Sequence, residues 1–311
     1  GYSYYYLNAL KTRKTGYEVS VSGTPIKSAN GLNWDVLVNW STFQDKFDEL
    51  PPGQETYNTH FKKGDRVDKF YGSAFVKTSS GQIVHDAAGK PLVNPYAQFL
   101  GYLNADYQWS IYNKFNYKSI SFGFQLDGSV GGVTTDYMHN KTMRGGRNIE
   151  TVEGALGAAR QADNDHAGDP NFPGIYVGQG VVVSNGVPIN FQSPTGEILN
   201  YKELSFAPNT QVTHVQDYVS KYYNVDEANL MSKTFAKLRE VTLGYDLPAK
   251  WLNRSFISKA TVSFVARNLI YFFKDSRFKD VDLDQYNYAT SGTVLQTPTT
   301  RRYGFNINVV F

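Results

Sequence analysis

The sequence predicts an all-β protein, an antiparallel transmembrane β-barrel or a portion of one, and three observations predict it. Many segments alternate apolar and polar residues with a period of two. The connections between them are alternately short and very long, the asymmetry of barrels with tight turns on one side of a membrane and loops on the other. Aromatic residues abound, with 23 Tyr and 20 Phe in 311 residues, the types that favour half-buried pleated surfaces and membrane interfaces.

Taken in chain order, the Tyr-rich opening at residues 2–6 reads as a first strand. Tyr17, Val19 and Val21 then alternate with Glu18, Ser20 and Ser22. Trp34, Val36, Val38 and Trp40 alternate with Asn33, Asp35 and Asn39, with Leu37 the exception. Residues 107–115 form the next candidate. In 119–130, Ile120, Phe122, Phe124, Leu126 and Val130 interleave with Ser119, Ser121, Gly123, Gln125, Asp127 and Ser129. Residues 241–245, with those before them, and 260–272, where Val262, Phe264 and Ala266 oppose Thr261, Ser263 and Arg267, supply two more. At the end, Tyr303, Phe305, Ile307, Val309 and Phe311 alternate with Arg302, Gly304, Asn306, Asn308 and Val310. A strand of a soluble sandwich can alternate in this way. A pattern kept to the last aromatic residue is commoner where one face meets lipid and the other a wet lumen. The total is about eight strands of roughly ten residues, the length of a tilted membrane strand.

Residues 25–31, 116–118 and 246–258 are the short connections, and 45–106, 133–233 and 274–300 the long ones. On the barrel reading the turns are periplasmic, the loops extracellular and the C-terminus periplasmic, and an even strand count puts the chain start on that side too. Within the loops, residues 82–93 and 181–189 are each expected to form a hairpin, the second turning at Ser184, Asn185 and Gly186. Val212, Val215 and Val219 are spaced for one face of a short helix, as are Val152, Leu156 and Ala159.

Other classes find little support. A net charge of +3 without long Lys/Arg runs gives no case for nucleic acid. The absence of cysteine excludes disulfide scaffolds and thiolate metal sites. No stretch approaches the ~18 apolar residues of a membrane helix, so a bilayer has to be crossed as a closed barrel. His60, His85, His139, His166 and His214 fall in the long loops without paired ligand spacing, and H-E-x-x-H, G-x-S-x-G and P-loop patterns are missing, so no catalytic residue or cofactor is assigned. Asp163, Asp165 and Asp169 around Gly168 resemble a calcium loop, but Gly174 stands where a bidentate Glu is needed; Asp280, Asp282 and Asp284 alternate in an extended stretch that could also hold a cation, a spacing equally normal for an exposed edge. No metal is assigned. Tyr57, Tyr71, Tyr137 and Tyr176 are the candidate ligand contacts, by stacking on sugar rings or gripping peptide side chains, with local loop packing as the alternative. Gln125, Asp127, Arg267, Asn306 and Asn308 are the candidate lumen-facing residues, by alternation.

Residues 235–248, FAKLREVTLGYDLP, resemble a signature of the SusC/RagA family of TonB-dependent transporters. VSFVARNL from Val262, the closing RRYGFNINVVF, GYEVSVSGTPI with GLNWDVLVNWS, GDRVDKFYG and YKSISFGFQLDGSVGG resemble other strands and a loop motif of that family. The resemblance spans essentially the whole chain, strongest from Thr234 onward and weakest in 145–229. It implies a 22-stranded barrel closed by an N-terminal plug, of which residues 1–311 are the C-terminal part, with the plug, roughly fourteen strands and the TonB-binding segment outside this chain. It also implies an outer-membrane location, a SusD-like surface lipoprotein over the mouth, energy from the TonB complex, oligosaccharide or oligopeptide cargo, and Phe311 as an assembly signal. The alternative is a secreted or surface all-β glycan-binding or adhesin module without transport activity.

Overall fold

The computed structural model describes residues 8–29, 31–253, 255–277, 281–286, 290–292 and 299–311. Its main element is a seven-stranded antiparallel sheet whose strands lie in chain order: β1 (Lys11–Ile26), β2 (Leu32–Glu49), β3 (Tyr107–Tyr117), β4 (Ile120–Val130), β5 (Phe235–Asp246), β6 (Lys259–Phe273) and β7 (Arg302–Val310). Each strand pairs with its neighbour in sequence, and β1 and β7 are the edges among the described residues. Seven of the expected strands are therefore present, and the Tyr-rich opening lies outside the described residues. β1 and β2 are longer than expected, at 16 and 18 residues. At about 3.3 Å per residue, β2 spans close to 60 Å, so even tilted by ~45° it runs past a ~30 Å hydrocarbon layer.

The short connections all lie at one end of the sheet. The tightest is the two-residue turn between β3 and β4, where Lys118 takes a positive φ of 52°. The longest carries the single-turn helix Ala249–Leu252 between β5 and β6. The three long connections emerge from the opposite end. The chain terminus returns to the short-turn end, where the Ser258 N–H donates to the Val310 carbonyl at 2.7 Å.

Because the pairing is in register, side chains of one character line up across strands. One row runs Ser20, Asn39, Ser110, Asp127 and Lys237; a neighbouring row on the other face runs Val38, Ile111, Leu126 and Leu238. Among the described residues no protein layer covers the apolar face: Tyr17, Val21, Leu243, Tyr303 and Ile307 are exposed, and Phe305 is 80% exposed. Two exceptions on that face are accommodated. Asn113 accepts a hydrogen bond from the Trp34 indole N–H at 3.0 Å. Gly128 leaves room for Trp109, since a Cβ there would stand 2.7 Å from the indole ring and 2.5 Å from the Phe235 carbonyl oxygen.

The buried cores lie mainly in the long connections. The first and second of these pack into one body. Val84–His85 pairs in parallel with Val181–Val183, whose other edge pairs antiparallel with Phe206–Pro208, and Val76, Val84 and Val181 are buried together. Asp226 accepts hydrogen bonds from the Ser73 N–H and hydroxyl, and Glu227 pairs with Lys77. The expected hairpin at 82–93 forms, turning between Asp86 and Lys90. The expected hairpin at 181–189 does not. Gly186 has the positive φ of a turn, 71°, but Val181–Val183 finds its partners at 84–85 and 206–208. Pro188, with no N–H to donate, is a poor return strand. Helices α1 (Tyr137–Arg144), α2 (Gly154–Asp165) and α3 (Val215–Tyr222) complete this body. Ala159, Val215 and Val219 form the α2–α3 contact as their spacing predicts. Val152 is instead exposed in a 3-10 turn, and Val212 pairs with Val177. α1 was not anticipated: of its eight residues Met143 alone is buried, and its start is fixed by Asp136 accepting from the His139 N–H.

Candidate functional site

The polar face of the sheet holds a charged network of Lys237, Arg239, Asp127 and Asp284, and a break in the alternation creates it. In the run Lys237, Leu238, Arg239, Glu240, two polar residues follow one another. Leu238 opposes Leu126 while Glu240 opposes Gln125, so Arg239 is the extra residue of a β-bulge. On the β6 side Asn268 occupies the matching irregularity with a φ of 56°, which Asn tolerates better than most residues. A bulge re-aims its side chain. Arg239 thereby reaches Asp127 at 2.6 Å, Asp284 at 2.6 and 2.8 Å, and the Asn268 side-chain oxygen at 3.1 Å.

Asp284 belongs to the third long connection, whose residues 281–286 lie against β5 and β6. Lys237 donates to the same carboxylate at 2.5 Å and lies 4.5 Å from the centre of the Tyr271 ring. Tyr271 in turn donates to Asp282 at 2.5 Å. Beside these polar contacts, Val281, Leu283 and Tyr286 are buried against Met231 and Phe235. Burial works against ionisation of Asp284, yet the hydrogen bonds from Arg239 and Lys237 prevail and hold its carboxyl below the usual carboxylate range. A groove of about 760 Å3 opens on the same face, lined by Glu18, Ser20, Asn39, Ser41, Asp127 and Arg239 among others.

The register puts the five candidate lumen-facing residues on one face of the sheet. Gln125 lies opposite Tyr112 and Glu240, Asp127 opposite Ser110 and Lys237, Arg267 opposite Glu240 and Arg302, Asn306 opposite Ser263, and Asn308 opposite Thr261. Two are tied to neighbours: Asp127 to Arg239, and Arg267 to Glu240 at 2.6 Å. Of the residues that organise this face, Lys237 and Arg239 carry no site role in the sequence reading, and Asp284, read there as part of an exposed acidic alternation, is instead half-buried and paired with both of them. The broken alternation at Arg239–Glu240 was the available signal.

The four candidate tyrosines fall in three places, Tyr57 and Tyr71 sharing one aromatic cluster through Phe47 and Phe61. Tyr57 packs on Phe47, and Tyr71 stacks on His60 with ring centres 4.3 Å apart. Tyr137 is exposed beneath the Lys141 ammonium, and Tyr176 joins a separate aromatic cluster against Tyr218. Phe311, at the short-turn end, stacks on Phe256.

The remaining candidates are dispersed. Asp163 accepts from His214 and from the Val215 N–H at the start of α3, Asp165 accepts from Gln161, and Asp169 from the Asn171 N–H. Asp282 and Asp284 are occupied as described, and Asp280 lies outside the described residues. Among the described residues no three His, Asp or Glu side chains gather to hold a metal ion.

The GDRVDKFYG segment has a structural role where the first long connection leaves and rejoins the sheet. Arg66 makes a two-pronged ion pair with Asp68 at 2.9 and 2.7 Å and lies 4.0 Å over the Tyr102 ring. Asp68 also accepts from the Asn104 N–H, and the Lys233 ammonium donates to the Leu103 carbonyl at 2.8 Å. Burial pushes the Lys233 amine down to about 8, against the nearby Asp68 charge.

No protein-family model matches the chain, and no curated protein matches it. Solved structures do. The RagAB peptide importer in its closed-closed state superposes with a TM-score of 0.60 at 17% identity, covering 97% of this chain and 30% of that one. A second structure, of the RagAB peptide transporter, gives 0.58 at 16% identity, with 97% and 30% covered. The importer in its open-open state gives 0.59 at 15%, with 97% and 29% covered. The chain thus spans under a third of the length of these structures, and at such identities the likeness is one of fold. That fold is SusC/RagA-like: an antiparallel β-sheet matching the C-terminal barrel portion of RagA.

Proposed function

We propose that this chain supplies barrel wall and mouth loops to an outer-membrane importer of oligopeptides or oligosaccharides, energised through TonB and served by a SusD-like surface lipoprotein. The observation that carries the reading is the two-faced sheet. Its apolar face is exposed from Tyr17 to Phe305, whereas its polar face is lined with hydroxyl, amide and charged groups. Water on one side and lipid on the other satisfy both. A secreted adhesin would need another protein layer over an apolar surface of that extent.

On this reading the short turns and C-terminus are periplasmic and the long connections extracellular. Cargo held between those connections and the lipoprotein passes along the polar face, past Asp127, Gln125, Arg267, Asn306 and Asn308, once TonB remodels a plug that lies outside this chain. Phe311 serves as the assembly signal. Cells deleted for the full gene should lose uptake of the matching peptide or glycan; wild-type uptake rates in such cells would refute the reading.

A further inference from the structure

The body formed by the first two long connections contains a cavity of about 250 Å3 lined by Tyr176, Tyr218, Tyr222, Tyr223, Leu156 and Gln179 among others. Helical spacing assembles it: Tyr218 and Tyr222 are four residues apart on α3 and share a face, Tyr223 follows at the helix end, and Tyr176 arrives from the strand pair beside Thr213. The four rings touch in series, with centres 4.8, 5.8 and 4.9 Å apart and planes inclined by 56°, 22° and 67°. Such inclinations make a concave wall of ring faces and edges.

No Lys or Arg lines the cavity. Two histidines stand behind its rings: His85 stacks on Tyr218 and meets its hydroxyl at 3.1 Å, with burial lowering the imidazole's titration and so favouring its neutral form, and His139 packs edge-on against Tyr223. The charges that bear on its rings are carboxylates, Glu150 on Tyr223 and Glu227 on Tyr222, the latter also paired with Lys77. Burial raises the titration of all four phenols, so the wall is neutral at physiological pH. Neutral aromatic faces without a competing cation attract positive charge through the ring quadrupole. The volume lies below the ~300 Å3 at which pockets for whole small molecules begin, and suits a single side chain.

We infer that this cavity receives one cationic side chain, the guanidinium or ammonium of an Arg or Lys residue in a peptide ligand. The inference rests on the import reading and deepens it by choosing peptide over oligosaccharide.

The test uses the full-length transporter in detergent and calorimetric titration with three probes: acetyl-Gly-Arg-Gly-amide, its citrulline counterpart, which is an uncharged isostere, and maltotriose. The arginine peptide should bind at least about tenfold more tightly than the citrulline peptide. Tyr176→Leu and Tyr222→Leu should each abolish that preference, while Tyr222→Phe, which keeps the ring, retains it. Equal affinity for the two peptides overturns the inference. So does a preference that survives both leucine variants, or maltotriose binding that the same variants remove. If Tyr222→Leu cells import both peptides as wild type does, the cage fails and import stands; if cells deleted for the gene also import normally, import itself fails.

Discussion

Replacing Asp284 with Ala removes the carboxylate that two cations share. Arg239 keeps Asp127 and Asn268, so its loss is modest. Lys237 is different: its side chain is 2% exposed, and after the substitution it keeps Tyr271, with the hydroxyl at 3.5 Å and the ring at 4.5 Å, and Asp127 opposite it in register, whose carboxylate is already held by Arg239. Breaking a buried pair by removing one partner costs about 3–5 kcal/mol, because the other charge stays buried. With Tyr271 still beside Lys237, the lower end applies, about 3 kcal/mol, which is a little over a hundredfold in the docking equilibrium of residues 281–286. Val281, Leu283 and Tyr286 still bury apolar surface, so the segment opens more often without leaving altogether. Amide hydrogen exchange of the full-length protein in detergent reads that equilibrium directly. Exchange at residues 283–286 should accelerate by roughly a hundredfold in Asp284→Ala. It should return most of the way in Lys237→Met/Asp284→Ala, where no charge is left buried. Unchanged exchange in the single variant, or no recovery in the double one, would refute the reasoning.

Other expectations follow from the same contacts. The lowered Asp284 titration means that docking is fully present above the ordinary carboxylate value and is lost only as pH falls through the lowered one, so exchange at 283–286 should gain no docking-related protection change between neutral pH and about pH 4. Lys233 titrates at about 8 in the fold against 10.5 ordinarily, so the unfolded chain binds more protons between those values and stability rises with pH across that window. Lys233→Met should remove this dependence in thermal melts. Trp34→Phe deprives Asn113 of its donor on the apolar face and should cost about 1–3 kcal/mol in refolding into lipid, with Asn113→Leu added to the same protein restoring most of it. Gly128→Ala should destabilise the barrel by about 1–3 kcal/mol, since the new methyl displaces the Trp109 ring or the β5 backbone; equal folding yields for variant and wild type would contradict this.

The sequence by itself determined the strands, their two faces and the alternation of short with long connections. Period-two patterning is a local property: each residue is matched to the solvent on its own side of the sheet, so Gln125, Asp127, Arg267, Asn306 and Asn308 were assigned to one face without knowledge of their neighbours. Only the tertiary structure decided what depends on distant segments meeting. Arg239 and Asp284 are 45 residues apart, and nothing in their spacing says that a bulge aims one at the other. Val181–Val183 has local turn residues suited to a hairpin, yet strands from 84–85 and 206–208 offered better partners. The tyrosine cage likewise joins α3 to a strand some forty residues earlier; the sequence marks α3 by Val215 and Val219 and does not show that Tyr218 and Tyr222 meet Tyr176. Charge pairing, strand partnering and cavity walls are contacts between faces, and a chain specifies them only when it has folded.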